Sequence, residues 1–226
     1  MVKKEVVMIK KVVVQMSGGV ESTTLIAKAI KELGKENVFP IVFIDGTPTQ
    51  NKELAAIKGL LSYYQLQQQV YKCTVPNWDD FEFRHGDYRV DSDFAFTPGW
   101  KLIINMISMA YAQKIGAEEV WQGNEVSNVY PDELEENIQE SGKLYNKIYE
   151  SNVKIVGHFK DMTKAQIIKY ADFLGVPLEK TLSCADESWV GGYNCGICQH
   201  CTLRRQAFKE AGIEDKTFYA FDHLRK

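Results

Sequence analysis

The first part of the sequence places a glycine-rich turn between a β-strand and a helix. Residues 11–16 form a β-branched apolar run, which is typical of a buried parallel strand. Residues 22–33 repeat apolar side chains at helical spacing, and Gly34 follows where such a helix ends. The turn Ser17-Gly18-Gly19 therefore joins the end of a strand to the start of a helix. This order indicates the first unit of an α/β fold.

Strand-like and helical patterns alternate along the rest of the chain. Because parallel strands need a crossover connection, this order predicts a Rossmann-like parallel sheet with helices on both faces. Strands are predicted at residues 38–44, 69–75, 118–122 and 153–156, and helices at 51–66, 100–114, 163–174 and 203–211. The buried stripe expected for the helix at 100–114 is Leu102, Ile103, Met106, Ile107 and Ala110.

Two further segments lack this periodicity. Residues 76–98 predict a long loop of the kind that covers a site, and the acidic residues 125–140 predict a solvated surface segment. The hypothesis for the domains is an α/β domain at residues 1–182, followed by a small C-terminal segment at residues 183–226.

Composition excludes several classes of protein. The 226 residues are 45% hydrophobic and 25% charged, which is ordinary for a globular chain and argues against long disorder. Lys and Arg number 27 against 30 Asp and Glu, so a protein that mainly grips a nucleic-acid backbone is not expected. The most apolar stretch, residues 102–112, is short and contains Asn105 and Ser108, so no membrane span is predicted. We expect a cytoplasmic protein, because no targeting segment is visible.

The glycine-rich turn has the chemistry of an anion site. Its glycines allow the backbone to approach a phosphate, hydroxyl side chains add donors, and a helix N-terminus supplies N–H groups and a favourable dipole. No lysine follows the glycines, so the turn is not the GxxxxGK[ST] loop. A plain glycine turn into a capped helix is the alternative.

Four of the five cysteines cluster near the C-terminus. Cys184, Cys195, Cys198 and Cys201 have the C-x10-C-x2-C-x2-C spacing, and four thiolates around one ion form the closed site of structural zinc. An iron–sulfur cluster is the main alternative. Arg204 and Arg205 are expected to offset the negative charge of such a site, and His200 is expected to be a bystander. Cys73 stands apart and is predicted to be a buried small hydrophobe.

The two motifs together resemble known enzymes. The segment Ser17-Gly18-Gly19-Val20-Glu21-Ser22 is similar to the SGG-x-D-S signature of the PP-loop ATP pyrophosphatases (adenine nucleotide alpha hydrolase-like fold). Combined with the cysteine motif, it resembles the 7-cyano-7-deazaguanine synthase family of queuosine biosynthesis. Similar segments lie between the two motifs over nearly the whole chain: Phe43-Ile44-Asp45-Gly46, Thr97-Pro98-Gly99, Gly116-Ala117-Glu118, Gly123, Tyr130-Pro131-Asp132, Lys164-Ala165-Gln166-Ile167 and Leu174-Gly175-Val176-Pro177-Leu178.

The resemblance implies an ATP-dependent ligase that converts 7-carboxy-7-deazaguanine and ammonia to 7-cyano-7-deazaguanine, with Mg²⁺, one structural Zn²⁺ and a homodimer. It assigns no side-chain nucleophile. It implies substrate or magnesium contacts at Asp45, Lys101, Tyr130 and Asp132 and zinc ligation by the four clustered cysteines. It implies ATP and pyrophosphate binding by Met16, Ser17, Gly18, Gly19, Val20, Glu21, Ser22, Thr23 and Thr24.

The sequence also departs from the family pattern. Glu21 stands where the family has Asp, Trp100-Lys101 where it has R-N, and Glu133-Leu134 where it has C-R; residues 47–51 replace its G-Q-R-H. The alternatives are a homologue that stops at the 7-amido product or serves nucleic-acid modification, a PP-loop tRNA thiolase, and a non-catalytic zinc-bearing binding module.

Overall fold

A computed structural model describes residues 10–47, 49–75, 98–126, 130–186, 188–189 and 191–222. Five strands form one sheet in the order β3-β2-β1-β4-β5, and each neighbouring pair is parallel. The strands are β1 (Val12–Gln15), β2 (Val38–Ile44), β3 (Tyr71–Thr74), β4 (Glu119–Glu125) and β5 (Lys154–Phe159). The predicted parallel sheet is therefore confirmed.

Helices cover both faces of this sheet, as predicted. They are α1 (Val20–Leu33), α2 (Gln50–Tyr64), α3 (Trp100–Ile115), α4 (Glu135–Tyr149), α5 (Lys164–Phe173) and α6 (Gln199–Ala211). Val12 and Val14 of β1 join a core with α1, α2, α5 and α6, whereas Val13 joins a second core with α3 and α4. This division follows from the two-residue period of a strand, which turns alternate side chains to opposite faces.

One prediction about the second face was incomplete and another was wrong. Part of the acidic segment at 125–140 belongs to α4, which buries Ile138, Gly142 and Tyr145. In α3, Leu102 and Ala110 are exposed, and the buried positions include the polar Asn105 and Ser108. A purely apolar pattern missed this face because polar side chains are buried where they find hydrogen-bond partners.

The prediction that Cys73, at the edge of the sheet, is buried was also wrong. Cys73 lies on β3, which pairs only with β2 in the described sheet, and its side chain is half-buried rather than buried. The loop predicted at 76–98 lies almost entirely outside the described residues, and the domain boundary at residue 182 stays a prediction. No helix in the described ranges is long and apolar enough to cross a membrane.

Candidate functional site

A cavity of about 360 Å³ opens at the carboxyl ends of β1, β2 and β4. The chain leaves β1 toward β2 on one side, and β4 pairs with the other side of β1. Such a reversal of strand order creates a crevice where α/β proteins bind ligands. The described lining residues are Gln15, Met16, Ser17, Glu21, Ser22, Phe43, Asp45, Glu53, Ile57, Trp100, Lys101, Ile104, Gly123, Asn124 and Glu133.

The glycine turn forms one wall of this cavity. Gly18 has φ of 79°, a left-handed conformation that favours glycine, and a Cβ there would lie 3.1 Å from Ile57 Cγ1. The Gly18 carbonyl accepts a 2.9 Å hydrogen bond from the N–H of Leu182, so the segment before the cysteines braces the turn. Gly19 then caps α1, whose N-terminus faces the cavity through Glu21 and Ser22.

The hydroxyls of the turn fall into two groups. Ser17 and Ser22 line the cavity, and their Oγ atoms lie 3.2 Å apart. Thr23 and Thr24 are fully buried, and their hydroxyls donate to the carbonyls of Gly19 and Val20. The two serine hydroxyls therefore lie at the cavity, although Ser22 Oγ also accepts from the Ser17 N–H and donates to the Gly19 carbonyl. The two threonine hydroxyls are committed to the first turn of α1.

Glu21 is held by a lysine from α5. Lys164 Nζ lies 2.7 Å from Glu21 Oε1. Burial would raise the pKa of Glu21, but the charge and hydrogen bond of Lys164 leave it lowered, and the same pair leaves the pKa of Lys164 raised. Gly123 of β4 permits this packing, because a Cβ there would lie 2.9 Å from Glu21 Cβ.

Acidic side chains and one lysine line the opposite part of the cavity. Burial, followed by the nearby charge of Asp45, raises the pKa of Glu53. Burial likewise raises the pKa of Glu133, against the effect of Lys101. Burial lowers the pKa of Lys101, with its carboxylate neighbours opposing that shift. Clustered groups with displaced pKa values in a cleft are typical of functional sites.

Two other residues implied by the resemblance lie elsewhere. Asp132 accepts a 3.0 Å hydrogen bond from the backbone N–H of Lys101, so it anchors the first turn of α3. Neither Asp132 nor Tyr130 belongs to the described lining of the cavity. Asp45 and Lys101, in contrast, both reach it.

The floor of the cavity carries a buried amide. Gln15, at the end of β1, donates from Nε2 to Asn105 Oδ1 at 2.9 Å and to Ser108 Oγ at 3.1 Å. Its Oε1 has no hydrogen-bond partner within the described residues. On the same side of the cavity, the rings of Phe43 and Trp100 meet edge to face with centroids 6.3 Å apart.

The four clustered cysteines form a candidate metal centre. Their sulfur atoms all lie within 4.8 Å of one another, and Cys195, Cys201 and Cys184 are buried. Backbone N–H groups donate to three of the sulfurs, including Cys198 N to Cys195 Sγ at 3.3 Å and Cys201 N to Cys198 Sγ at 3.5 Å. Such bonds stabilise thiolates, the form that binds a metal, so the donor set fits a single ion.

The cation beside these sulfurs is a lysine from α2. Lys52 is only 4% exposed, and its Nζ lies 3.7 Å from Cys184 Sγ, 2.6 Å from the Asp186 carbonyl and 3.4 Å from the Trp189 carbonyl. Arg204, expected near the sulfurs, instead donates to oxygen atoms of residues 178–183 and of Thr217. The next residue on α2, Glu53, lines the cavity, so α2 touches both sites.

Comparison with known proteins identifies the family. The model of the queuosine biosynthesis protein QueC family matches residues 11–212. The chain belongs to this family. The 7-cyano-7-deazaguanine synthase of Nautilia profundicola is 33% identical over 227 residues, which cover 93% of this chain and 98% of that protein. The synthase of Acetivibrio thermocellus is 32% identical over 224 residues, with 93% and 98% covered. QueC family membership confirms the resemblance that the SGG and cysteine motifs predicted.

A solved structure supports the fold at greater distance. A 4-thiouridine synthetase in complex with RNA and ATP is 15% identical and superposes with a TM-score of 0.51, covering 90% of this chain and 50% of that one. This similarity supports the PP-loop-like α/β architecture.

Several functional candidates escaped the sequence analysis. Lys164 was noticed only within a matching segment, Glu133 was noticed only as a departure from the family pattern, and Glu53 resembled an ordinary helix acid. The burial of Lys52 was not predicted because a single lysine in a helix normally points to solvent. Gln15 carried one available signal: it is a polar residue at the end of a strand that is otherwise entirely apolar.

Proposed function

We propose that this protein is an ATP-dependent ligase that converts 7-carboxy-7-deazaguanine and ammonia to 7-cyano-7-deazaguanine and releases AMP and pyrophosphate. The observation that carries the proposal is the glycine turn at the reversal point of the sheet, in a chain that matches named synthases over 93% of its length. An anion-binding turn beside a cavity with buried acids and a lysine suits both ATP and a polar heterocycle.

The glycine turn is the proposed binding site for pyrophosphate. Residues Gly18 to Ser22 supply backbone N–H groups, and Ser17 and Ser22 supply hydroxyls. The Met16 N–H is donated to the Ile41 carbonyl, and Thr23 and Thr24 hold the first turn of α1 in shape. A Cβ built on Gly19 would lie 3.4 Å from Glu21 Oε2, so the Glu21 carboxylate lies next to the turn. We assign the Mg²⁺ that accompanies ATP to carboxylate oxygens of Glu21 and Asp45, since Mg²⁺ prefers such ligands.

The reaction needs a better leaving group than oxide. A substrate carboxylate oxygen attacks the α-phosphorus of ATP, the bond to pyrophosphate breaks, and an acyl-adenylate forms. Ammonia adds to the acyl carbon, AMP leaves with that oxygen, and a proton is released, which gives the amide. The amide oxygen then attacks the α-phosphorus of a second ATP and pyrophosphate leaves. Loss of AMP and of both protons of the amide nitrogen gives the nitrile. The protein contributes orientation and charge stabilisation rather than a nucleophile.

Lys101 is the proposed partner of the substrate carboxylate. It is the lysine that reaches the described lining of the cavity from α3, and its ammonium group is buried among acids. A cation in such a place stabilises a bound carboxylate more than it would in water, because the local dielectric is low. Glu133 lines the same cavity, and its charge favours the ammonium form of Lys101.

Zinc is the proposed occupant of the cysteine cluster. Zinc holds four thiolates at about 2.3 Å in a tetrahedron, which requires sulfurs separated by about 3.8 Å. The Cys195 and Cys201 sulfurs are 3.9 Å apart. A four-iron cluster distributes its cysteines over separate irons and so needs a wider set of sulfurs. With four protein ligands the zinc has no open position, and its role is to fix the segment that braces Gly18.

The test is a product assay with 7-carboxy-7-deazaguanine, ATP and ammonium. Mass spectrometry of the heterocycle and chromatography of the nucleotides follow each product. We expect AMP and pyrophosphate, an early amide and a final nitrile, with two AMP formed per nitrile. Release of ADP, or no nucleotide consumption with this substrate, would contradict the proposal. Accumulation of amide alone would retain the ligase and remove the second half of the reaction.

A further inference from the structure

We propose that Gln15 reads an N–H donor on the ring of the heterocyclic substrate, through its side-chain carbonyl oxygen. This inference rests on the proposed function and adds a specificity residue to it. The argument starts from the position of Gln15, which ends β1 two residues before Ser17 and lines the floor of the cavity.

The orientation of the Gln15 amide follows from its neighbours. The hydroxyl of Ser108 donates its proton to the Ile104 carbonyl at 2.6 Å. The Ser108 oxygen can therefore only accept from Gln15, and the group that faces it must be the Nε2 amide nitrogen. Asn105 Oδ1 accepts from the same nitrogen at 2.9 Å. Two acceptors on α3 thus fix Nε2 toward the helix.

The other end of the amide is left for a ligand. Gln15 is 8% exposed, and its Oε1 has no partner within the described part of the chain. A buried acceptor without a hydrogen bond is destabilising, so it marks a place where a donor from a ligand or a water completes the site. Asn105 Nδ2 is also without a partner within the described residues, so the orientation of the Gln15 amide rests on its contact with Ser108.

The residues around Gln15 indicate which kind of ligand would donate to its Oε1. Gln15 shares its side of the cavity with Phe43, Trp100 and Ile104, which suit the faces and edges of a flat ring. The phosphate-binding turn lies on the α1 side, with Ser17, Glu21 and Ser22. A flat ring placed against α3 therefore presents its edge to Gln15 Oε1, and the amino-substituted edge of a deazaguanine supplies the N–H donors.

The experiment combines a protein change with a ligand change. The dissociation constants of 7-carboxy-7-deazaguanine and of its analogue without the exocyclic amino group are measured for the wild type and for Gln15→Leu. Wild type should prefer the amino-bearing substrate by about tenfold or more, because a site built around a hydrogen bond discriminates strongly against a ligand that lacks it. In Gln15→Leu this preference should fall to about twofold or less.

Two controls separate recognition from folding. Binding of a non-hydrolysable ATP analogue should change less than about twofold in Gln15→Leu, and Ser108→Ala should keep most of the preference, since it removes only one of the two acceptors that hold Nε2. An unchanged preference in Gln15→Leu would overturn the inference and leave the proposed function standing. A parallel loss of both ligands with lowered thermal stability would show a structural role and overturn it too. A wild type that binds neither deazaguanine would contradict both proposals.

Discussion

The cavity and the cysteine cluster adjoin one another, but they differ in whether their polar groups have hydrogen-bond partners. At the cluster, backbone N–H groups donate to the sulfurs, and Lys52 lies against Cys184 and two carbonyls. At the cavity, Gln15 Oε1 has no partner among the described residues, and burial raises the pKa values of Glu53 and Glu133. A closed polar network stabilises a fold, whereas an incomplete one binds what completes it.

A hydrogen bond and a shared helix also connect the two regions. Leu182, just before the first cysteine of the cluster, donates to the Gly18 carbonyl, and α2 carries Lys52 and Glu53 side by side. The metal centre should therefore affect ATP binding indirectly, by holding the glycine turn. Changes at the cavity should leave the metal in place.

The largest expected effect is loss of the metal centre. Cys198→Ala removes one of four thiolates, so zinc content should fall from about one ion per chain to well below it and stability should drop by several kcal/mol. Metal analysis and thermal unfolding measure both. Cys73→Ala is the matched control, because that thiol lies on an edge strand away from the cluster and should change neither. A Cys198→Ala variant with full zinc content would remove this cysteine from the ligand set.

The next effect is confined to the cavity. Gly18→Ala forces a side chain into a left-handed conformation and against Ile57, at a cost of about 1–2 kcal/mol. ATP turnover should fall at least a hundredfold while zinc content stays unchanged. Gly59→Ala on α2 is the control, since a Cβ there meets nothing within 4 Å and should stabilise the helix by roughly 0.5–1 kcal/mol. Normal turnover by Gly18→Ala would exclude the turn from the site.

A third variant tests the link between the regions. Lys52→Met keeps the length of the side chain and removes its charge, so zinc should pass to a chelator about tenfold faster, as expected for loss of an outer-shell partner. ATP affinity should weaken to a smaller degree. Lys58→Met is the control on the exposed face of the same helix. Equal zinc release by the two variants would show that Lys52 does not support the metal centre.

The smallest effect concerns pH. The lowered pKa of Glu21 adds stability that is present above its ordinary pKa of 4.5 and is lost as pH falls through the pKa of the folded state. The raised pKa of Lys164 adds stability that is lost only as pH rises through a value above 10.5. In Lys164→Met, burial should instead raise the pKa of Glu21. That variant should then gain on the order of 1 kcal/mol relative to wild type between pH 7.5 and pH 5.

Urea unfolding at the two pH values measures this change. Lys160→Met is the matched control, because the Lys160–Glu135 pair is 3.8 Å apart and largely exposed. A Lys164→Met variant whose stability follows the wild-type pH dependence would contradict the assigned ion pair.

The fold was largely predictable because its signals are local. The β-branched run of β1, the glycine turn and the capping box at Thr163 and Gln166 each specify a short element, and the structure contains all three. The buried face of α3 was not predictable in the same way. Asn105 and Ser108 hydrogen-bond to Gln15, which lies some ninety positions earlier in the chain.

In the candidate site, too, some residues were predictable from the sequence and others were not. The four cysteines and the serines of the turn are close in sequence, so their spacing predicted their meeting in space. Lys52 and Lys164 come to their partners from distant helices, and pairings of this kind depend on how the helices pack. The family resemblance partly bridged this gap, because its matching segments include Lys164 and Gly123.

In the proposed reaction the protein transfers AMP to an oxygen of the substrate carboxylate. Substrate labelled with ¹⁸O in both carboxylate oxygens, supplied with unlabelled ATP and ammonium, tests it directly by mass spectrometry of the released AMP. We expect one ¹⁸O atom in the AMP released with the amide and the second ¹⁸O atom in the AMP released with the nitrile. AMP without ¹⁸O, formed in step with product, would contradict it.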